Sequence, residues 1–392
     1  MSRPASPHSR RAGLLAVPVV IALVAIAGAP GAAHDIVTSP YTFAEDVLPI
    51  VRERCGSCHV DGGVAPMSLL THPDAVPWGE SIRLELMSGH MPPWPLASAP
   101  GRFRNVEGLT ARELNVLLTW VSGGTPRGET LAAASTAVLS PAERPWPLGA
   151  PDLVLDLEPF TLGPDEREQV TEFVVSAGDR ERWVRAVDLQ PGTPAIVRNA
   201  TIGVRGEVAS PSGAERLLGL WVPGDHPVAV DEGAAFHLPA RAELVVRVRY
   251  LKTWQHERKT MTDRSRVGLY FAAAPADALQ ALALSPERET VVEAPLLAHA
   301  IYPDPALAYV TASVVAVRPD GGREELIAFR PRSGWARRYW FRQPIPLPRG
   351  TRFEVQITPD QGELLPPGAL PPPADDRDPA SQRIMLNVVP ST

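Results

Sequence analysis

The two cysteines of this chain stand three residues apart in Cys55-Gly56-Ser57-Cys58-His59, and a histidine follows the second directly. With no other cysteine, disulfides cannot staple the fold, and apolar cores must hold it together. Two thiols at this spacing can add to the two vinyl groups of a haem, while the next residue supplies the proximal iron ligand. A thioredoxin-like disulfide lacks a surrounding βαβ pattern here, and a zinc site would need two further ligands at sensible spacing. The motif therefore predicts covalent haem c on Cys55 and Cys58, with His59 on the iron.

Such attachment belongs to an exported protein, and the N-terminus fits. Arg3, Arg10 and Arg11 precede an apolar run over residues 14–27 and small residues over 28–33, which reads as a signal peptide at 1–33 cleaved after Ala33. The run is shorter than the roughly 20 residues of a spanning helix, so no stable membrane span is expected after cleavage. Gly13 interrupts the twin-arginine pattern begun by Ser9-Arg10-Arg11, and general export to a periplasmic or secreted location is preferred. Losing three arginines takes the formal charge from −6 to −9, an acidic balance that argues against nucleic acid as a partner.

Two helical signals bracket the motif. Thr42-Phe43-Ala44-Glu45 is a capping box before Phe43, Val47, Ile50 and Val51, with Pro49 as a potential kink. Thr110-Ala111-Arg112-Glu113 is a second, before Leu114, Leu117, Leu118 and Val121, and Gly123-Gly124 ends it. Residues 34–127 thus read as a small all-α domain. Its second axial ligand comes from Met67, His72, Met87, His90 or Met91. Met91 is preferred, because Pro92 and Pro93 would stiffen the loop behind its thioether and Trp94 could pack on the ring.

Residues 128–150 lack an apolar period and read as a linker. The 44 prolines and 30 glycines, with only 21% charged residues, favour strands and turns beyond it. β-prone runs at 153–157, 173–175, 183–189, 195–204, 217–222, 244–251 and 267–272 predict a first antiparallel sandwich over 151–274. Runs at 310–317, 325–329, 339–341, 352–357 and 384–389 predict a second over 275–392, with the break near 274–292. A proline-rich loop at 366–373 continues into Asp375 and Asp376. Arg330, Arg332, Arg337, Arg338 and Arg342, interleaved with Trp335, Tyr339 and Trp340, read as a strand face with cation–π packing.

Taken with residues 43–50, Ala65-Pro66-Met67-Ser68-Leu69-Leu70, Met91-Pro92-Pro93-Trp94-Pro95, Phe103-Arg104-Asn105 and residues 109–126, the haem part resembles the cytochrome c domain of exported bacterial proteins. In those proteins a haem module precedes a copper type II, ascorbate-dependent monooxygenase-like region. Through residues 183–192, 218–224 and 262–269 the β half resembles the two jelly-roll-like domains of the peptidylglycine monooxygenase family. That resemblance implies one copper on a His-His pair plus a His before Tyr, and another on His-x-His plus Met. This chain departs from both sets: Arg198-Asn199 stands at the pair, and Arg249 precedes Tyr250. At the second site His299 is kept, Ile301 replaces its partner, and Met385 is the candidate methionine. Arginine and asparagine cannot stand in for neutral imidazole, so copper is not expected, with His299 and Met385 as its remnant.

The expectation is a periplasmic electron-transfer protein whose β region binds a redox partner protein. Its rivals are an ascorbate-dependent copper monooxygenase fed by its own haem domain, and a peptide- or glycan-binding module with haem as sensor.

Overall fold

The computed structural model describes residues 38–93, 101–106, 108–129, 144–205, 216–273, 277–305, 307, 310–332, 334–359 and 383–391. The signal at 1–33, Trp94, most of the 128–150 linker, and the proline-rich loop with Asp375 and Asp376 lie outside the described residues.

A π-helical turn, Phe43–Val47, passes directly into α1 (Leu48–Arg54). Thr42 caps it by accepting from the Glu45 amide, but the reciprocal bond uses a residue one later than the box predicts, the Thr42 amide donating to the Asp46 carboxylate at 2.8 Å. Pro49 falls in the first turn of α1, at the junction with the π-helical turn, where it has no N–H to give. Two helices that the sequence reading lacked follow: α2 (His72–Ala75) and, after a 3₁₀ turn at Val76–Trp78, α3 (Gly79–Met87). α4 (Ala111–Ser122) carries the complete Thr110–Glu113 capping box. Its buried face centres on Val116, Leu117 and Trp120, while Leu114 and Leu118 stay partly exposed. Trp120 sets that rotation, because its indole donates to the Pro126 carbonyl at 3.0 Å and its ring packs on Phe43. These residues form one apolar cluster with Val47, Val51, Leu69 and Ala75.

The rest is mostly β structure in antiparallel sheets. In chain order the strands are β1 (Leu153–Asp156), β2 (Phe160–Leu162), β3 (Glu168–Ser176), β4 (Arg182–Gln190), β5 (Val197–Val204), β6 (Arg216–Trp221), β7 (Ala234–Leu238), β8 (Glu243–Leu251), β9 (Met261–Asp263), β10 (Arg266–Phe271) and β11 (Asp277–Ala278). They continue as β12 (Gln280–Leu284), β13 (Leu296–Pro303), β14 (Val310–Val317), β15 (Arg323–Phe329), β16 (Tyr339–Leu347), β17 (Arg352–Pro359) and β18 (Ile384–Pro390). Sheets ordered β1-β10-β4-β7-β11 and β3-β8-β5-β6 enclose one cluster, to which Val184, Leu189, Phe236 and Leu269 come from the first and Ile202, Leu244, Val246 and Tyr250 from the second. Sheets ordered β12-β18-β13-β16 and β15-β14-β17 enclose another. Along β14 every second residue from Val310 to Ala316 is buried, the period of a strand with one face on a core.

Near the break expected at 274–292 the pairing passes from the first set of strands to the second. β11 pairs in parallel with β7, β12 pairs with β18, and Leu279 alone separates the two strands. Ala300, Trp340 and Val389 join the first cluster, so the halves share an apolar seam. The helical part is also less separate than a free module. Between α3 and α4, Phe103 bridges to Phe341 of β16, the Arg104 amide donates to the Trp340 carbonyl at 2.8 Å, and the Arg342 amide donates to the Arg102 carbonyl at 2.8 Å. Phe103 then packs in the second β cluster, stacked on Phe341 at 5.4 Å.

Candidate functional site

The chain turns sharply out of α1 into the motif. Amides of Cys58 and His59 both donate to the Cys55 carbonyl, at 3.0 and 2.9 Å, which draws the two cysteines and the histidine into one turn. The following loop folds back on it: the Ala65 amide donates to the Cys58 carbonyl and the Leu69 amide to the His59 carbonyl, each at 3.2 Å. Glycine permits both bends. A Cβ on Gly56 would lie 2.7 Å from the Arg52 carbonyl oxygen, and one on Gly63 only 2.4 Å from that of Cys58.

Cys55 and Cys58 are free thiols. Burial pushes the Cys55 thiol up to about 12, with the neighbouring Cys58 adding to it, and burial raises Cys58 as well. Burial lowers the His59 pKa, against a backbone hydrogen bond with Met67, and favours neutral imidazole. The His59 Nδ1 is buried with no hydrogen-bond partner among the described residues. A neutral ring with an unspent nitrogen beside two unbonded thiols has the donor set that a covalently attached, iron-bearing porphyrin requires.

Met91 lies just beyond α3, where its amide and that of His90 both donate to the Glu85 carbonyl. Its side chain is 38% exposed. The other axial candidates are engaged to differing degrees. Met67 packs against the helical cluster. The His72 ring bonds the Thr125 carbonyl at 2.9 Å and lies edge-on to Phe43 and Trp120. His90 pairs with Glu85 at 3.3 Å, and the sulfur of the exposed Met87 accepts from Arg83.

Each residue that the resemblance sets at a copper position has a structural task. Arg198 donates to the Val64 carbonyl at 2.7 Å, Asn199 to the Gly334 carbonyl at 3.0 Å, and Arg249 pairs with Glu168 at 2.6 Å. Ile301 is fully buried in the second β cluster. His299 occupies a bulge in β13 with both ring nitrogens buried and unpartnered among the described residues, and burial lowers its pKa. Met385 lies opposite Tyr302, so the strand register does not pair it with His299. Among the described residues no group of three or more His, Cys, Asp or Glu side chains is disposed to hold a metal ion.

Two features escaped the sequence reading. Arg144, at the end of the linker, donates to the Gly56 carbonyl at 2.8 Å, so it and Arg198 grip the motif loop from opposite ends. Only the unusual Arg144-Pro145-Trp146-Pro147 string hinted at an ordered contact there. Of the five arginines near Trp340, two show the expected cation–π packing, from just before β16 rather than from a strand face: Arg337 lies over Tyr339, and Arg338 over Trp340 and Phe236. Arg337 also makes a buried ion pair with Asp225, which no local pattern foretold.

No known protein family matches this chain, and no curated protein does. Solved structures with some likeness include a turret protein of Sulfolobus turreted icosahedral virus, at 9% identity and TM-score 0.16 over 61% of this chain and 100% of that one. Another is the N-terminal tandem CBM22 domain of Paenibacillus barcinonensis Xyn10C, at 8% identity and TM-score 0.16 over 59% and 85% of the respective chains. Likenesses this remote carry no argument. Among the described residues no helix is long and apolar enough to cross a membrane.

Proposed function

We propose that this chain is an exported c-type haem protein that transfers electrons, with an all-α cytochrome c domain set against two jelly-roll-like sandwiches. Cys55 and Cys58 would carry the porphyrin through thioethers, His59 would bind the iron, and Met91 would complete its axial pair. The haem would supply a one-electron couple between ferrous and ferric iron. One observation carries the reading: the hydrogen-bonded turn gathers two unbonded thiols and a neutral histidine whose buried Nδ1 has no partner. The exposed Met91 thioether supports its assignment, since Met67, His72 and His90 are occupied elsewhere.

The resemblance to cytochrome–monooxygenase fusions gives the β region its place in this proposal: a degenerate copper domain that binds a redox partner protein. Arg198 and Asn199 support the loss of copper, because both are spent on backbone carbonyls of neighbouring segments. Iron and copper counts on mature protein from a haem-maturing, exporting host test the reading. One iron per chain, pigment that survives denaturation and acid-acetone extraction, and no stoichiometric copper are the expected results. Extractable pigment, or none, overturns it, and stoichiometric copper restores the hydroxylase.

A further inference from the structure

Between the motif loop and the first β region lies a cavity of about 140 Å³, walled by Val64, Trp146, Trp221 and five prolines, with Ser57 at its edge. Most of its polar groups are spent. Arg144 is held by the Gly56 carbonyl, Gln190 by Arg144 and Arg266, and Asp225 by Arg337. Asp188 is different. It is 7% exposed, one oxygen accepts its neighbour's amide from Leu189 at 2.8 Å, and among the described residues no cation pairs with it. A buried carboxyl facing an apolar cavity without a counter-ion is costly unless a donor reaches it.

The dimensions and walls select the occupant. An apolar cavity of about 150 Å³ takes one benzene ring, so this one admits a single ring and little more. Flat indole and rigid proline walls suit an aromatic face. A cation would meet Arg144, an anion would meet Asp188 and Asp225, and the exposed His226 also lines the cavity. We propose that the cavity is a binding site for a neutral single-ring phenol, its ring between the tryptophan and proline walls and its hydroxyl donating to Asp188. Ser57 lies between the two cysteines, so the occupant would abut the attachment turn; the binding itself does not depend on haem.

Calorimetric titration of the full mature chain with phenol, benzene, benzylammonium and benzoate tests this, with ligand-observed NMR as the second readout. Saturable phenol binding at least tenfold tighter than that of the other three is expected. Asp188→Ala should abolish the preference of phenol over benzene, and Trp221→Leu should weaken both. No saturable binding, tighter binding of either ion, or an unchanged preference in Asp188→Ala overturns the proposal. If a variant fails to fold, the ligand ranking on the unaltered chain still decides. A Cys55→Ser, Cys58→Ser chain should bind phenol equally well; binding confined to that haem-free chain would make the cavity part of the porphyrin's seat and overturn the assignment.

Discussion

Arg198 donates to the Val64 carbonyl at 2.7 Å, across the seam between β5 and the loop that follows His59. Burial draws its guanidinium down to about 10, so the charge is kept in a desolvated place where the carbonyl is its hydrogen-bond acceptor. A hydrogen bond from a charged group contributes about 1.5–3 kcal/mol. Arg198→Ala is therefore expected to lower stability by about 2 kcal/mol in urea denaturation and to raise hydrogen exchange at the amides of Ala65 and Leu69. Exchange unchanged at both amides would mean that the β region does not steady the loop.

Met67 and Met91 should separate cleanly. Met67 packs on the helical cluster, whereas Met91 is 38% exposed. Met91→Ala is expected to open an axial position, so that ferrous protein binds carbon monoxide where the unaltered protein does not, with little change in the chain's own packing. Met67→Ala should cost about 2 kcal/mol through lost burial and leave the iron's ligation intact. Carbon monoxide binding gained in Met67→Ala alone would reverse the axial assignment.

How far the sequence carried depended on how local each signal was. The Cys55–His59 spacing, the Thr110 capping box and the long alternating strands are written in adjacent residues, and the structure places a turn, a helix and strands there. β2, β7, β9, β11 and β12 were not legible, being two to five residues long and defined by what they pair with. β13 was obscured by its continuous burial, without alternation, and by the bulge at His299. Least visible was the seam. Arg104, Asn105 and Phe103 lie in a short stretch between helices, yet Arg104 pairs with Asp231 at 2.7 Å and Asn105 donates to the Arg338 carbonyl at 2.7 Å, partners well over a hundred residues away. Nothing periodic encodes such contacts.

That seam contains the Arg337–Asp225 pair, in which the side chains are 2% and 11% exposed. Arg337 also donates to the Asn105 carbonyl at 2.6 Å, so the pair ties the inserted segment to both β regions. Removing one partner of a buried pair strands the other charge, at about 3–5 kcal/mol. Asp225→Asn should destabilise by that amount in chemical denaturation, and Asp225→Asn combined with Arg337→Met should recover most of the loss. A double variant as unstable as the sum of the two single changes would show that the ion pair is not what couples these sites.

Asp188 predicts a pH dependence of opposite sign to that of an ordinary paired carboxylate. Burial, with the nearby Asp225 charge adding to it, raises its pKa from 3.8 to about 7 despite the Leu189 amide. Between those values the folded chain holds a proton that the unfolded chain has lost. The stability contributed by neutral Asp188 is thus complete below pH about 4, declines as pH rises towards 7, and is gone above it, a change of order 4 kcal/mol. Other carboxylates obscure this in the unaltered protein, so the comparison must be with Asp188→Asn, which stays neutral and keeps an oxygen for the Leu189 amide. The variant should match the unaltered chain near pH 4 and exceed it by a few kcal/mol at pH 8. A constant difference across that range would place the Asp188 titration outside it.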